Sequence, residues 1–343
     1  IELIGYLHGY KGLLKGKSIN IPIDIAEQGN DLYSFGGTFL GNSRVKLTNA
    51  QDCIKNGYIK ENQIPLEVAA GQLVKDKIDI LHTIGGDDTN TTAAELVKYL
   101  KKNNYDLTVV GIPKTIDNDV YPIKQTLGAI TAAEQSSIFF KNIVNENTTS
   151  SRQLIIHEVM GRNCGWLTAY SAYLYKKELD LRKFFPEIGL SKNKWDIHGI
   201  YIPEMSFDLE NEVKRLDNIM DKHDCVNIFL SEGAGIDNII SEKKSNNEEI
   251  KTDAFGHYRL DEINPGQWYA NYFKEKLNCD KVLVQKSGYF SRSSAPNKED
   301  LELIIQHADK AVECAINKEN GVIGIDEDDE TNNLSCINFK RIN

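Results

Sequence analysis

Short runs of apolar and β-branched residues alternate along the chain with longer segments in which apolar residues recur every three or four positions. The runs predict strands and the longer segments predict helices, and their alternation is typical of parallel β-α-β units. The predicted strands are residues 1–7, 78–84, 107–112, 154–159, 199–203, 226–230 and 282–285. The chain is therefore expected to have an α/β fold.

The clearest predicted helix is residues 298–318, and residues 91–102 and 125–144 have the same period. The predicted buried face of the helix at residues 298–318 consists of Leu301, Ile304, Ile305, Ala308, Ala311, Val312 and Ala315. Two polar stretches, residues 241–252 and the acidic residues 326–333, predict solvated loop or tail.

The composition is that of an ordinary globular protein, with 343 residues, 41% hydrophobic and 26% charged. This length favours two lobes over one compact unit. A net charge of −10 argues against a nucleic-acid-binding surface, so any phosphate site must be a local pocket. No apolar run approaches the roughly 20 residues that span a membrane. The six cysteines are scattered without a zinc-binding spacing, which predicts reduced thiols in a cytoplasmic protein.

The first candidate site follows strand 78–84, where Gly85, Gly86, Asp87 and Asp88 lead into a helix. A strand, a glycine turn and a helix N-terminus form a phosphate cradle, because free N–H groups and the positive end of the helix dipole meet there. Two carboxylates would repel a phosphate unless a cation such as Mg²⁺ lay between them. The alternative is a plain helix cap with Asp or Thr at the N-cap position.

The second candidate site is the loop after the next strand. Asp87 and Asp117 are one strand–helix–strand step apart, so both loops are expected at the same edge of neighbouring parallel strands. Lys114, Thr115, Asp117 and Asp119 would supply a cation, a hydroxyl, a candidate base and a second acid facing the metal. The alternative is an Asp- and Asn-rich turn after Pro113.

Three further strands are expected to end in polar groups at this same edge. Arginine forks bind phosphate and a carboxylate accepts sugar hydroxyl protons, which makes these residues candidates for a sugar phosphate site. The candidates are Met160, Gly161 and Arg162 after one strand, Glu232 after the second, and Tyr289 and Arg292 after the third.

Five segments together resemble the phosphofructokinases, specifically the pyrophosphate-dependent branch. They are GGTFLGNSR (36–44), GGDDTN (85–90), PKTIDND (113–119), MGRNCGW (160–166) and SGYFSRS (287–293), in family order. The resemblance runs from about residue 5 to about residue 325. It implies a two-lobed phosphofructokinase-like α/β fold with mostly parallel sheets flanked by helices. Residues 1–127 plus about 291–325 would bind the phosphoryl donor and Mg²⁺, and residues 128–290 would bind fructose 6-phosphate.

The implied reaction is reversible phosphoryl transfer from pyrophosphate to the 1-hydroxyl of fructose 6-phosphate, giving fructose 1,6-bisphosphate. By resemblance, Asp117 is the general base, Lys114 assists catalysis, and Asp87 and Asp119 hold Mg²⁺. The implied donor-binding residues are Gly85, Gly86, Asp88, Arg44 and Lys114. The implied sugar-phosphate-binding residues are Thr115, Asp117, Met160, Gly161, Arg162, Glu232, Tyr289 and Arg292.

Donor choice is predicted from two positions, since ATP-dependent relatives have Gly where this chain has Asp88 and Lys114. A carboxylate at position 88 opposes a nucleotide α-phosphate, whereas Lys114 offers charge to the transferred group. Pyrophosphate is therefore favoured. Two alternatives stay open at this point, an ATP-dependent 6-phosphofructokinase and a non-catalytic regulatory subunit of the same fold.

The resemblance carries two further expectations. The family has a strand and a glycine-rich phosphate loop before the point where this sequence starts, so the chain is expected to be part of a longer protein. A homodimer or homotetramer is also expected, because family members borrow a basic residue from a neighbouring subunit. Arg152 lies one residue out of register with that position and is not assigned to it.

Overall fold

A computed structural model describes residues 1–27, 29–246, 248, 250 and 260–342. The strands are β1 Leu3–Tyr6, β2 Ser18–Ile21, β3 Ile80–Gly85, β4 Thr108–Pro113, β5 Gln153–Val159, β6 Gly199–Tyr201, β7 Cys225–Ser231, β8 Lys281–Lys286, β9 Gly321–Ile325 and β10 Leu334–Ile337. The helices are α1 Tyr10–Lys15, α2 Ile23–Glu27, α3 Gly29–Leu32, α4 Ala50–Lys55, α5 Pro65–Lys75, α6 Asp87–Lys102, α7 Ala129–Ile143, α8 Trp166–Leu181, α9 Leu209–His223, α10 Ile236–Ser245, α11 Leu260–Ile263, α12 Pro265–Lys276, α13 Gly288–Arg292 and α14 Lys298–Ile316.

The chain divides into two compact units. Unit 1 consists of Ile1–Ile130 and Ser293–Asn343, and unit 2 is the continuous segment Thr131–Arg292. No helix among the described residues is long and apolar enough to cross a membrane.

Unit 1 contains a four-stranded sheet in the order β10-β9-β4-β3. Strands β3, β4 and β9 run parallel, and β10 closes the sheet antiparallel to β9. Leu96, Leu100 and Val109 belong to its buried core, into which α6 packs one face. Strands β1 and β2 form a separate antiparallel pair. Residues after 320 are thus part of the same sheet as β3 and β4.

Unit 2 contains a second four-stranded sheet, in the order β6-β7-β5-β8, and all of its strands are parallel. Every residue of β5 and β7 is buried, as expected for central strands covered by helices on both faces. The five strands that sequence reasoning placed at one edge therefore belong to two sheets, so the prediction of a single common edge is wrong. Hydrophobic runs predict strands but carry no information on which strands pair.

Helix α6 begins at Asp87, four residues before the start that its apolar period predicts. Gly86 is the N-cap residue and no side chain caps the helix. The alternative interpretation, in which Asp or Thr serves as the N-cap, is therefore wrong. The carboxylates of Asp87 and Asp88 lie in the first turn, where the helix dipole favours negative charge.

Other element predictions need correction. Helix α7 starts at Ala129 because the preceding residues turn back to β4, with Leu127 N–H donating to Pro113 O at 2.9 Å. The strand predicted over residues 199–203 ends at Tyr201. Part of the loop predicted over residues 241–252 is helix, since α10 extends to Ser245, and residues 247, 249, 251 and 252 lie outside the described residues.

The predicted buried face of the last helix is also partly wrong. Ile305 and Val312 are exposed, whereas His307, Ala311 and Cys314 are buried. The acidic segment 326–333 does connect two strands as a loop. Its first residue, Asp326, is nonetheless buried and accepts hydrogen bonds from Arg341.

Candidate active site

The first two predicted loops lie at the same edge of the unit 1 sheet. Strands β3 and β4 are parallel neighbours, and Gly85 is opposite Pro113. Lys114 N–H donates to Gly85 O at 2.8 Å, which ties the second loop to the first. A Cβ atom on Gly86 would lie 3.4 Å from Thr115 Cβ. The sheet therefore brings the two loops into contact, as their spacing predicts.

The first loop has a fixed backbone beneath its carboxylates. The fully buried Asn90 donates from Nδ2 to Gly85 O and Gly86 O, both at 3.0 Å. A side chain on Gly85 would lie 2.3 Å from Thr89 Oγ1, so this close turn requires glycine. These contacts hold the chain rigid at the start of α6.

Asp87 and Asp88 have different surroundings. Asp87 is half-buried, and its Oδ1 atom is buried without a hydrogen-bond partner. The side chain of Asp88 is 61% exposed and forms an ion pair with Lys46, with Nζ and Oδ1 2.5 Å apart. The Asp87 carboxylate thus has one oxygen without a hydrogen-bond partner, whereas the Asp88 carboxylate is paired with a lysine.

The second loop orients Asp117 through its own neighbours. Asp117 N–H donates to Thr115 Oγ1 at 3.2 Å, and that hydroxyl lies 3.5 Å from Asp117 Oδ2. Asn118 adopts a left-handed conformation with φ of 55°, and its Oδ1 accepts from Thr126 N–H at 2.7 Å. The turn predicted after Pro113 is present, and its side-chain hydrogen bonds position Asp117.

The acids of unit 1 interact electrostatically. Partial desolvation, followed by the charge of Asp117, raises the pKa of Asp119 to about 6, and Asp87 and Asp88 add to the shift. Desolvation and Asp88 also raise the pKa of Asp87, while Lys46 opposes this. The two loops therefore concentrate negative charge.

The carboxylates fit a hard divalent cation. Asp87 Oδ1 lacks a hydrogen-bond partner, and carboxylate oxygens are ligands that such cations prefer. In the part of the chain that the structure describes, Asp87, Asp117 and Asp119 do not bring three ligand atoms within 4.8 Å of one another. The protein alone thus supplies few direct ligands, which suits Mg²⁺ because this ion keeps waters and substrate phosphates in its shell.

Lys46 is a residue of this site that sequence reasoning missed. It lies between Val45 and Leu47, which are buried in the core of unit 1, and its own side chain is half-buried. Arg44, predicted to bind the donor, is exposed two positions earlier. The sequence signal for Lys46 is the alternation of basic and apolar residues over positions 44–47, at the end of the GGTFLGNSR segment.

Unit 2 brings together its own group of predicted residues at the ends of β5 and β7. Glu232 N–H donates to Val159 O at 2.9 Å, and Gly161 N–H donates to Glu232 Oε1 at 3.3 Å. A Cβ atom on Gly233 would lie 1.7 Å from Arg162 O. The segment carrying Arg162 therefore packs directly on the segment carrying Glu232.

The third strand end of unit 2 adds Tyr289 and Arg292 and lies beside Met160, which follows β5. Strand β8 pairs with β5, and a Cβ atom on Gly288 would lie 3.7 Å from Met160 Cε. Tyr289 is 76% exposed and Arg292 is also exposed, both on the short helix α13. The six predicted residues of unit 2 thus belong to three adjacent parallel strand ends.

A cavity of about 650 Å³ opens beside this group in unit 2. Its lining includes Arg162, Asn163, Glu204, Gly233 and Asn238. Glu204 Oε1 accepts from Gly165 N–H at 2.7 Å, which fixes one wall of the cavity. The cavity therefore combines an arginine with several backbone and side-chain polar groups.

Arg152 is engaged within unit 2. It donates from Nη2 to Leu277 O at 2.7 Å and from Nε to Asn278 O at 2.9 Å. Its guanidinium also contacts Asp221 at 2.7 Å and Asp217 at 3.5 Å. These four contacts all lie within unit 2.

Comparison with known proteins identifies the family. The phosphofructokinase family model matches residues 1–315. A pyrophosphate–fructose 6-phosphate 1-phosphotransferase of Methylomonas methanica is 56% identical over 342 residues, covering 100% of this chain and 83% of that protein. A protein of the same name from Mastigamoeba balamuthi is 52% identical over 341 residues, covering 99% of this chain and 83% of that protein. This chain therefore belongs to the phosphofructokinase family.

A solved structure gives the same fold. The crystal structure of a pyrophosphate-dependent phosphofructokinase from Marinobacter aquaeolei matches with a TM-score of 0.72 at 21% identity, covering 98% of this chain and 74% of that chain. The predicted α/β fold, with mostly parallel sheets flanked by helices, is confirmed.

Proposed function

We propose that this protein is a phosphotransferase that moves a phosphoryl group from pyrophosphate to fructose 6-phosphate. The relatives that share more than half of its residues carry this activity in their names. The structural observation that carries the donor assignment is the first turn of α6, where Asp88 projects beside Asp87 and pairs with Lys46.

The chemistry assigned to unit 1 starts at Asp117. Its carboxylate takes the proton of the 1-hydroxyl of fructose 6-phosphate, and that oxygen then forms a bond to one phosphorus of pyrophosphate. The bond from this phosphorus to the bridging oxygen breaks, and inorganic phosphate leaves with the bridging electrons. Thr115 supports this role because its hydroxyl accepts from Asp117 N–H and so fixes the backbone of the base. Lys114 stabilises the charge that develops on the transferred group.

Mg²⁺ is the cation that we assign to the acids of unit 1, where it would neutralise charge on the donor phosphates. Asp87 would hold it directly and Asp119 through water. The buried, partnerless Oδ1 of Asp87 supports this assignment. Gly85, Gly86, Asp88, Arg44 and Lys114 would surround the donor.

The sugar phosphate is assigned to unit 2, apart from contacts from Thr115 and Asp117. Arg162 and Arg292 would hold the phosphate through their planar forks, and Glu232 would accept from sugar hydroxyls. Met160, Gly161 and Tyr289 would complete the binding residues. The close packing of Gly161 and Gly233 against their neighbours supports a preformed site.

Pyrophosphate is favoured over ATP by the position of Asp88. Asp88 opposes a nucleotide α-phosphate both through its volume and through like-charge repulsion, of which the Lys46 ion pair offsets a part. The alternative of an ATP-dependent enzyme is not favoured by the names of the most similar relatives. A non-catalytic subunit is disfavoured because Lys114, Asp117 and Asp119 are all present.

The compartment and assembly are part of the same proposal. All six cysteines are free thiols, which supports the reducing environment of the cytoplasm. We assign a homodimer or a homotetramer, as the resemblance implies.

The test is a coupled assay in the presence of Mg²⁺ and fructose 6-phosphate, with pyrophosphate and ATP as separate donors. Turnover is expected with pyrophosphate. In the reverse direction, fructose 1,6-bisphosphate and inorganic phosphate should give fructose 6-phosphate and pyrophosphate. Turnover with ATP alone would select the ATP-dependent alternative. Binding of fructose 6-phosphate without turnover of either donor would select the regulatory subunit.

A further inference from the structure

Two cysteines that are far apart in the sequence meet in unit 1. Cys314 lies near the end of α14 and Cys336 lies on β10. Together with Glu319 they present two sulfur atoms and a carboxylate oxygen that all lie within 4.8 Å of one another. The two cysteines are free thiols, as the sequence predicts, but their spacing in the sequence does not reveal that they are neighbours.

The backbone explains how the three residues converge. Lys318 adopts a left-handed conformation with φ of 60° after the end of α14, and Glu319 N–H donates to Cys314 O at 2.9 Å. Cys336 is opposite Ile323 in the antiparallel pair of β9 and β10. A Cβ atom on Gly321 would lie 2.3 Å from Ile337 O and 2.7 Å from Cys336 Sγ. The glycine thus leaves room for the β10 backbone and for the cysteine sulfur.

The three donor atoms differ in their access to solvent. Cys314 is buried, Cys336 is half-buried and Glu319 is exposed. A cation would therefore approach from the Glu319 side and reach the sulfurs beneath it. Two sulfurs and one oxygen suit a tetrahedral Zn²⁺ with water as the fourth ligand. Mg²⁺ prefers oxygen ligands, so this site differs in chemistry from the acids of α6.

We propose that Cys314, Glu319 and Cys336 form a binding site for a soft divalent cation of the Zn²⁺ class. The bound cation would link the end of the last helix to the last strand of the unit 1 sheet. This site is independent of the proposed phosphoryl transfer.

A disulfide between the same cysteines is the competing product. Both cysteines are free thiols in this structure. A disulfide would require an oxidant, whereas a bound cation requires only that the two thiols release their protons. The neighbouring Glu319 carboxylate adds an oxygen ligand and negative charge, which favour the cation.

The experiment titrates the reduced, chelator-stripped protein with Co²⁺ and then with Zn²⁺. We expect stoichiometric Co²⁺ binding with a sulfur-to-cobalt charge-transfer band, and displacement of that band by Zn²⁺. Cys336→Ser and Cys314→Ser should remove the band. Glu319→Gln should keep the band and weaken Zn²⁺ binding by about tenfold or more, a loss at least as large as that of an outer-shell partner.

The matched control is Glu302→Gln, the same change at an exposed position of α14, which should leave Zn²⁺ affinity unchanged. Far-UV circular dichroism and the urea unfolding midpoint report that each variant is folded. The proposal is overturned if reduced wild-type protein gives no thiolate band, or if the band survives Cys336→Ser. It is also overturned if Glu319→Gln, which changes only an exposed side chain, binds Zn²⁺ as tightly as the parent.

Discussion

The two groups of predicted site residues are built differently. In unit 1 the carboxylates are crowded together, and Asp87 keeps one buried oxygen without a partner. In unit 2 the loops after β5 and β7 are joined by short backbone contacts, and Ser231 Oγ donates to Gly161 O at 2.5 Å. The carboxylates of unit 1 thus carry uncompensated negative charge when no ligand is bound, whereas the loops of unit 2 are already fixed by hydrogen bonds.

This contrast separates two ways of contributing to a reaction. Charges that repel one another in the free protein gain most when a cation and a phosphate arrive, so unit 1 is suited to stabilising the reacting groups. A rigid pocket loses little entropy on binding, so unit 2 is suited to holding a substrate. Substitutions of the groups assigned to the transfer step in unit 1 should therefore lower kcat, and substitutions in unit 2 should raise the KM for fructose 6-phosphate.

The largest effect is expected for Asp117. Asp117→Ala should lower kcat by about 10²- to 10⁴-fold because it removes the general base, with little change in the KM for fructose 6-phosphate. Steady-state kinetics with pyrophosphate measure both values. Asp24→Ala, at an exposed position of unit 1, is the control and should have wild-type kinetics. Retention of most of kcat in Asp117→Ala would remove this residue from the mechanism.

The next effect concerns the donor. Lys114→Gly should raise the activation free energy of pyrophosphate turnover by about 3 kcal/mol, the typical value for a group that stabilises a transition state. Asp88→Gly alone should improve ATP use only in part, and the double variant should be non-additive because both residues contact one ligand. The measurement is kcat/KM for both donors in all four proteins. A double variant that uses ATP no better than the parent would show that selectivity lies elsewhere.

Arg162 tests the binding role of unit 2. Arg162→Ala should raise the KM for fructose 6-phosphate by about 10- to 150-fold, because a charged hydrogen bond contributes about 1.5–3 kcal/mol. Arg292→Ala should act in the same direction. Arg182→Ala, at an exposed position of unit 2, is the control. An increase confined to the KM for pyrophosphate would contradict the assignment of the arginines to the sugar phosphate.

A smaller effect is expected from His157, which lies in the core of unit 2 among Phe139, Phe140 and Phe229. Burial lowers the pKa of His157 to about 3. The unfolded chain binds a proton below about pH 6.5 and the folded chain does not, so stability falls as the pH falls. His157 should account for a loss of about 1.4 kcal/mol at a pH one unit below 6.5.

Urea unfolding of the wild type and His157→Leu at two pH values isolates this contribution. The decrease in the free energy of unfolding between about pH 7.5 and pH 5.5 should be smaller in the variant by about 1.4 kcal/mol. Equal losses in the two proteins would show that His157 is not buried in its neutral form.

The smallest effect is expected for Lys46. Lys46→Met should raise the KM for pyrophosphate only a few-fold, because an exposed ion pair contributes about 0.2–1 kcal/mol. The difference should shrink at high salt. Lys98→Met, which breaks the exposed pair with Glu95 on α6, is the matched control. A Lys46→Met enzyme with unchanged kinetics at low salt would show that the ion pair does not affect donor binding.

Much of the fold was predictable from local patterns. Strands β3, β4, β5 and β7 are rich in apolar residues, and the predicted bounds differ from the observed ones by at most two residues at either end. Strands β2, β9 and β10 were missed, and the last two flank a strongly acidic loop. The buried face of α14 was misplaced because His307 and Cys314 fill it, while Ile305 and Val312 are exposed.

The candidate site was predictable where it depends on order along the chain. The adjacency of Gly85 and Lys114 follows from two successive parallel strands. The division of the site residues between two sheets could not be predicted from the sequence, because strand pairing depends on contacts between residues that are distant in sequence. The cluster of Cys314, Glu319 and Cys336 was missed for the same reason. Lys46 was missed although a local alternation of apolar and basic residues marks its position. The roles of the individual site residues stay predictions.

The insertion of unit 2 into the sequence of unit 1 has a consequence for biosynthesis. Unit 2 is one uninterrupted stretch, so its sheet can close while the rest of the chain is still being translated. Strand β4 cannot pair with β9 until residues 320–325 have been translated, since Val110 is opposite Gly321 and Val109 N–H donates to Asn320 Oδ1. The nascent chain therefore carries an unpaired β4 edge while the whole of unit 2 is translated, and the sheet of unit 1 is completed only after that of unit 2 can form.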